Sequence, residues 1–253
     1  MNSQSPDTAA LFGDPTSMTV ESGAGNITVL FPDVDNTRRH VQRILTGLDY
    51  SVLPIEGYTA DTIVDIGANI GGFALYMNQQ FPDARCVCFE PSPGAFNYLA
   101  ENTKDIPNIT AHHLGLFSQD SEMTLFDGAS QGLQSSLYAS AETSQSGTTV
   151  TLRHAERALE EFGPKHISIL KVDTEGAEMP ILSTLAGRLG GVDQIYLEYH
   201  SEQDRREIDT LLGETHVLAG ASAKAVHRGT NHYLNKALLE AYPDLNILKI
   251  ART

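Results

Sequence analysis

The sequence predicts an α/β fold, a mostly parallel sheet with helices on both faces. Three observations predict it. From about residue 60, short β-branched apolar runs alternate with stretches that are apolar at helical spacing. A glycine-bearing turn, Asp65-Ile66-Gly67-Ala68-Asn69-Ile70-Gly71, follows the first apolar run. A carboxylate, Glu90, closes the second.

The elements follow in order. Residues 1–26 read as peripheral, being rich in Gly, Ser, Thr and Pro, and residues 27–31 as a short strand. Asp35 or Asn36 is placed to cap a helix carrying Val41, Ile44, Leu45 and Leu48 on one face. This front section, residues 1–59, is expected to pack on the main domain as a lid, and is a candidate contact for a homo-oligomer. The main domain, 60–253, should hold strands at 62–66, 85–90, 108–114, 167–173 and 192–199, with helices at 70–80 and 93–104. An insertion at about 118–150 contains two β-like runs, 122–126 and 148–152, around a loop rich in Ser, Gly, Thr and Gln. Ser135 and Ser136 in that loop are candidates for closing over a ligand. Residues 153–162 read as helix, and 216–218 and 231–234 as antiparallel strands.

Composition narrows the function classes. The net charge of −15 argues against nucleic acid and anionic membranes as partners, because few cations are present to replace their counterions. No apolar run is long enough to span a bilayer. Residues 1–15 lack a basic stretch followed by an apolar one, so a cytoplasmic protein is expected. The two cysteines, Cys86 and Cys88, read as small buried thiols on one strand face.

The turn at 65–71 is a nucleotide-site signal. Glycines there let the backbone turn sharply and let a ligand approach it. Asn69 stands where a dinucleotide motif would carry its middle glycine. Asp65 suits a ligand with an amino group or ribose hydroxyls, and Glu90 suits a ribose diol. The run 114–117 ends the third strand, and Gly115 and Leu116 offer a place for an adenine. His112 and His113 read as structural, because neighbouring strand residues face opposite ways.

A second constellation lies on later strands. Asp173 and Glu175 fall just past the end of one strand, where ligands of open parallel sheets bind. Glu198 and His200 share one face of the next. Arg228, Asn231 and His232 are weaker candidates for the same pocket and fit a surface turn better.

These segments resemble the FkbM family of methyltransferases. The matching pieces are 64–71, Phe89-Glu90-Pro91-Ser92-Pro93 and Leu170-Lys171-Val172-Asp173-Thr174-Glu175-Gly176-Ala177-Glu178, the last being the most specific. The resemblance spans roughly residues 40–236 and implies a seven-stranded, Rossmann-like class I methyltransferase sheet. It also implies S-adenosylmethionine as donor and a hydroxyl of a small molecule or sugar, in specialised metabolism, as acceptor. One departure is Leu152-Arg153, where the family often has Leu-Asp.

The donor is then expected at Asp65, Gly67, Ala68, Asn69, Gly71, Glu90, Pro91, Gly115, Leu116, Asp173 and Glu175. A hydroxyl acceptor needs its proton removed, and His200 and Asp173 are the expected catalytic pair. Alternatively Asp173, Glu198 and His200 hold Mg²⁺ or Mn²⁺ to acidify the acceptor. Two other readings compete: an NAD-dependent oxidoreductase, and an inactive cofactor-binding or scaffolding protein.

Overall fold

A computed structural model describes residues 14–22, 25–33, 36–128, 135–136, 143–243 and 245. The chain opens with a hairpin, β1 (Pro15–Ser22) and β2 (Gly25–Pro32), and a helix, α1 (Thr37–Leu45). Then come β3 (Thr62–Ile66), α2 (Gly72–Gln80), β4 (Arg85–Phe89), α3 (Pro93–Thr103) and β5 (Ile109–His112). The insertion holds β6 (Gly115–Phe117), β7 (Ser121–Gly128), β8 (Ser135–Ser136) and β9 (Thr143–His154), leading into α4 (Ala155–Glu161). The rest is β10 (Ile167–Val172), α5 (Glu178–Leu189), β11 (Val192–Tyr199), α6 (Glu202–Leu212), β12 (His216–Ala225), β13 (Arg228–Asn235) and α7 (Lys236–Ala241).

Seven strands form the main sheet in the order β12-β13-β11-β10-β3-β4-β5. The five from β5 to β11 are parallel, and β13 and β12 close the far side antiparallel. The expected mostly parallel sheet is therefore present. Its central strands are apolar on both faces, as helix cover on both sides demands. On β3, Ile63 joins a core with α2 and α3, while Val64 and Ile66 join one with α4 and α5. Order β10-β3-β4 places the chain reversal beside β3, and ligands of open sheets bind outside the strand ends at such a point.

The described residues of the front section form regular elements that its composition does not suggest. β1 pairs with β2 over its whole length, and Val20, Ile27, Val29, Phe31, Val41 and Leu45 join the core beneath α2 and α3. Asn102 on α3 fastens the hairpin: its Oδ1 accepts from the Leu30 amide at 2.8 Å, and its Nδ2 donates to the Leu30 and Ile70 carbonyls at 2.9 and 2.8 Å. Asn36 does precede α1, but in left-handed backbone (φ 65°) and without a side-chain capping bond. Asp35 lies outside the described residues. Leu48 falls beyond the helix and is exposed.

Two further boundaries differ from expectation. Gly115–Phe117 does not continue the third strand. It forms β6, paired with β9 in a second sheet of order β6-β9-β7-β8. Arg153 belongs to β9 rather than to the helix after it. Ser135 and Ser136 pair with Asp127 and Phe126. The neighbouring 129–134 and 137–142 lie outside the described residues. Cys86 and Cys88 are buried and free, with sulfurs 3.7 Å apart. No helix among the described residues is long and apolar enough to cross a membrane.

Candidate active site

The turn after β3 is built by hydrogen bonding to its neighbour strand. The Gly67 and Ala68 amides both donate to the Phe89 carbonyl at 3.0 Å. Gly67 has φ +78°, and a Cβ there would stand 1.9 Å from the Asp173 carbonyl oxygen, so only glycine fits. Asn69 is also left-handed, at φ 52°. Its amide donates to Glu90 Oε2 at 2.8 Å, while the Ser92 amide donates to Oε1 at 2.8 Å. Burial pushes the Glu90 carboxyl up to about 7, against the pull of those two amides.

Beneath the turn lies a buried ion pair. Lys171 Nζ stands 3.0 Å from Asp65 Oδ1 and also donates to the Gly67 carbonyl. Burial alone would discharge the lysine, but Asp65 and Asp173 hold its pKa above the ordinary value. Asp65 is not on the cavity wall; it acts through Lys171, which braces the turn.

The turn after β10 carries the second group of carboxylates. Glu178, buried at the start of α5, closes it by accepting from the amides of Thr174 at 2.9 Å and Gly176 at 3.0 Å. That closure forces Glu175 into left-handed backbone, φ 55°, at a cost of about 1–3 kcal/mol. Its carboxylate is thereby aimed at Arg228 Nη2, 2.7 Å away, and His200 Nε2, 3.0 Å away. Asp173 Oδ2 accepts from the Tyr50 hydroxyl at 2.8 Å. Burial would raise Asp173, yet Lys171, Lys224 and His200 together hold it well below the usual carboxylate range.

One cavity of about 350 Å³ joins these pieces, a size suited to a small organic ligand. Gly67, Ala68, Asn69, Glu90 and Pro91 line one part, with Gly115 and Leu116 beside them. Gly115 packs closely there: a Cβ would stand 2.5 Å from Leu152 Cδ2 and 3.1 Å from Pro91 Cβ, so a side chain would need Leu152 to shift. Asp173, Glu175, Glu198 and Arg228 line the charged part, and Arg39, His40 and Arg43 of α1 complete the wall. Gly71 is off the wall, packed against Leu99 as α2 begins.

Two expectations need correction. His200 sits among Glu175, Glu178 and Glu198, with Nδ1 3.3 Å from Glu178 Oε1. Burial opposes its charge, but Glu175 and Glu178 raise its pKa to about 10. It already carries the proton a base would have to accept, and it is not on the cavity wall. The metal set also fails. Ligand atoms of Asp173, Glu175 and His200 lie within 4.8 Å of one another, but Glu198 is outside that group. Glu198 is held by Lys224 and by Arg228 Nε at 2.7 Å. With Glu198 committed to these two cations, the expected set of Asp173, Glu198 and His200 is not brought together, and Mg²⁺ or Mn²⁺ on it is unsupported.

Asn231 and His232 are buried in β13 instead of forming a surface turn. His232 stacks on Tyr196 at 4.0 Å, and Nε2 meets Gln194 Oε1 at 3.0 Å. His112 and His113 are not on the cavity wall; they stack on Phe89 and Phe96 respectively.

The donor set fits S-adenosylmethionine. Glu90 can accept from a ribose, Pro91 and Leu116 give an apolar slot, and the carboxylates at the other part suit a sulfonium cation.

Comparison with known proteins identifies the family. Residues 65–223 match the methyltransferase FkbM domain. A protein of Beauveria bassiana called Methyltransferase 1 is 32% identical over 143 residues, covering 49% of this chain and 57% of that one. The hexuronic acid methyltransferase AglP of Haloferax volcanii is 26% identical over 155 residues, covering 61% of this chain and 62% of that one. The chain thus spans about three fifths of these relatives. The crystal structure of an FkbM methyltransferase from Methylobacillus flagellatus superposes with a TM-score of 0.51 at 14% identity, over 73% of this chain and 45% of that one. That likeness concerns the fold.

Proposed function

Because the chain belongs to the FkbM methyltransferase family, we propose that it moves a methyl group from S-adenosylmethionine to a hydroxyl oxygen of a small molecule or sugar. The observation that carries this reading is the single cavity shared by the Gly67–Asn69 turn and the charged group at Asp173. S-adenosylmethionine, when bound, supplies an activated methyl on a positively charged sulfur. In this reading Gly67, Ala68 and Asn69 present backbone to the donor, and Glu90 takes the ribose hydroxyls. Pro91, Gly115 and Leu116 enclose the adenine. Asp65 and Gly71 contribute by fixing the turn, and Glu175 fixes the position of Arg228. Asp173 faces the reacting centre, where its secure negative charge aligns a hydroxyl. The hexuronic acid specificity in the name of the Haloferax relative supports a sugar-like acceptor.

Calorimetry tests the donor. S-adenosylhomocysteine should bind in the micromolar range and NAD should not; binding of NAD alone would favour the oxidoreductase reading. Transfer of label from methyl-tritiated S-adenosylmethionine to a panel of sugars and sugar acids tests the acceptor. An ether product survives mild alkali, whereas a methyl ester releases methanol. Tight binding of the adenosyl ligand with no transfer to any metabolite of the source cell would turn the reading towards a cofactor-binding scaffold.

A further inference from the structure

Methylating a hydroxyl leaves a proton to be removed, and an alcohol does not lose it unaided near neutral pH. Most ionisable groups of the charged part are already committed elsewhere. Asp173 is held far below the usual carboxylate range and is a weak base. Glu175 is paired with Arg228 and His200, which outweigh burial and lower it. Glu198 has one oxygen on Lys224 and the other on Arg228. The Tyr50 hydroxyl donates to Asp173 and is pushed well above its ordinary value, chiefly by burial. His200 already holds its proton.

His40 is different. It lies on the cavity wall, one turn into α1, and its ring makes no hydrogen bond or ion pair among the described residues. The charges of Lys224 on β12, of Asp173 and Glu175 in the turn after β10, and of Asp49 beyond α1 act on it. Arg39 and Arg43 of its own helix line the same wall. The residue is exposed to solvent, yet neighbouring protein and the charge of Lys224 outweigh the three carboxylates and lower its pKa, the direction a proton acceptor needs.

We propose that His40 is the proton acceptor for methyl transfer, a role that rests on oxygen methylation being the reaction. The acceptor oxygen forms a bond to the methyl carbon as the carbon–sulfur bond breaks. The electron pair of that bond passes to sulfur, leaving S-adenosylhomocysteine. The hydroxyl proton passes to a ring nitrogen of His40, giving an imidazolium that later returns the proton to water. No further reactant is needed.

The test uses the full chain and His40→Gln. Proton NMR of the imidazole should show the His40 ring titrating below its ordinary value. A ring still protonated at pH 7 overturns the proposal, and that measurement needs no acceptor. In the label assay, His40→Gln should lose about 10²–10⁴-fold in transfer, with S-adenosylhomocysteine affinity retained. The acid limb of the wild-type pH profile should vanish in the variant, and added imidazole should restore part of the rate to His40→Gly. A methyl ester product also overturns the proposal, because a carboxylate acceptor has no proton to lose. Full-rate ether formation by His40→Gln overturns it while leaving the oxygen-methylation reading intact. Failure of wild type to bind S-adenosylhomocysteine defeats both.

Discussion

Lys171 shows how one side chain couples the core to the cavity. Its ammonium is almost fully enclosed, and Asp65 beside it is completely so. Removing one partner of such a pair leaves an uncompensated buried charge, which costs about 3–5 kcal/mol. Lys171→Met should therefore lower the stability measured by urea denaturation by that much, and adding Asp65→Asn should recover a large part. His200 carries a pH signature. Its folded pKa of about 10 lies above its unfolded value of 6.5, so the protonated ring stabilises the folded state. That contribution is fully present below 6.5 and fades as pH rises through 10. The stability difference between wild type and His200→Gln, measured by denaturation across this range, should shrink accordingly. A constant difference would mean the ring is neutral in the folded protein.

At the scale of elements, one asparagine adds a cluster of hydrogen bonds to the apolar packing that attaches the front section. Asn102 satisfies both backbone groups of Leu30 and the carbonyl of Ile70. Asn102→Ala leaves these groups without partners, at about 1–3 kcal/mol for each that stays shielded from water. Hydrogen exchange should show the Leu30 amide losing protection while the amides of β3 keep theirs. The elements legible in the sequence were those with a strong local pattern. The run at 62–66 matches β3 because it is apolar on both faces, and the Ser92-Pro93 start of α3 is a local capping signal, with the Ser92 side chain accepting from the Ala95 amide. Gly115–Phe117 misled because three residues cannot reveal which sheet will pair them. Glu90 and Asp173 were readable because each stands at a strand end. His40 was not, since the outward face of an amphipathic helix reads as plain solvent exposure until the fold makes it part of a cavity wall. The charge of His200 was hidden for the same reason: its three carboxylate neighbours come from two different segments.

The whole molecule separates its charge. A net −15 belongs to the chain, yet Arg39, Arg43, Lys171 and Arg228 all line one cavity. Three of them are tied to carboxylates, Arg43 to Asp49, Lys171 to Asp65 and Arg228 to Glu175 and Glu198. The cavity is a dense, nearly balanced set of fixed charges inside an acidic body. Such an array favours ligands that carry charge or strong dipoles, because it is already oriented and costs little to reorganise when they arrive.

The helix α1 precedes residue 65, where the family match begins, but it supplies a wall of the cavity. Its inner side is anchored by Val41 and Leu45, which have no part in that wall beyond the edge Val41 offers. Sequence drift at 39 and 43 can then reshape the rim of the cavity while the sheet, the Gly67 turn, Glu90 and His40 stay as they are. The protein has, in effect, an adjustable rim around a fixed engine.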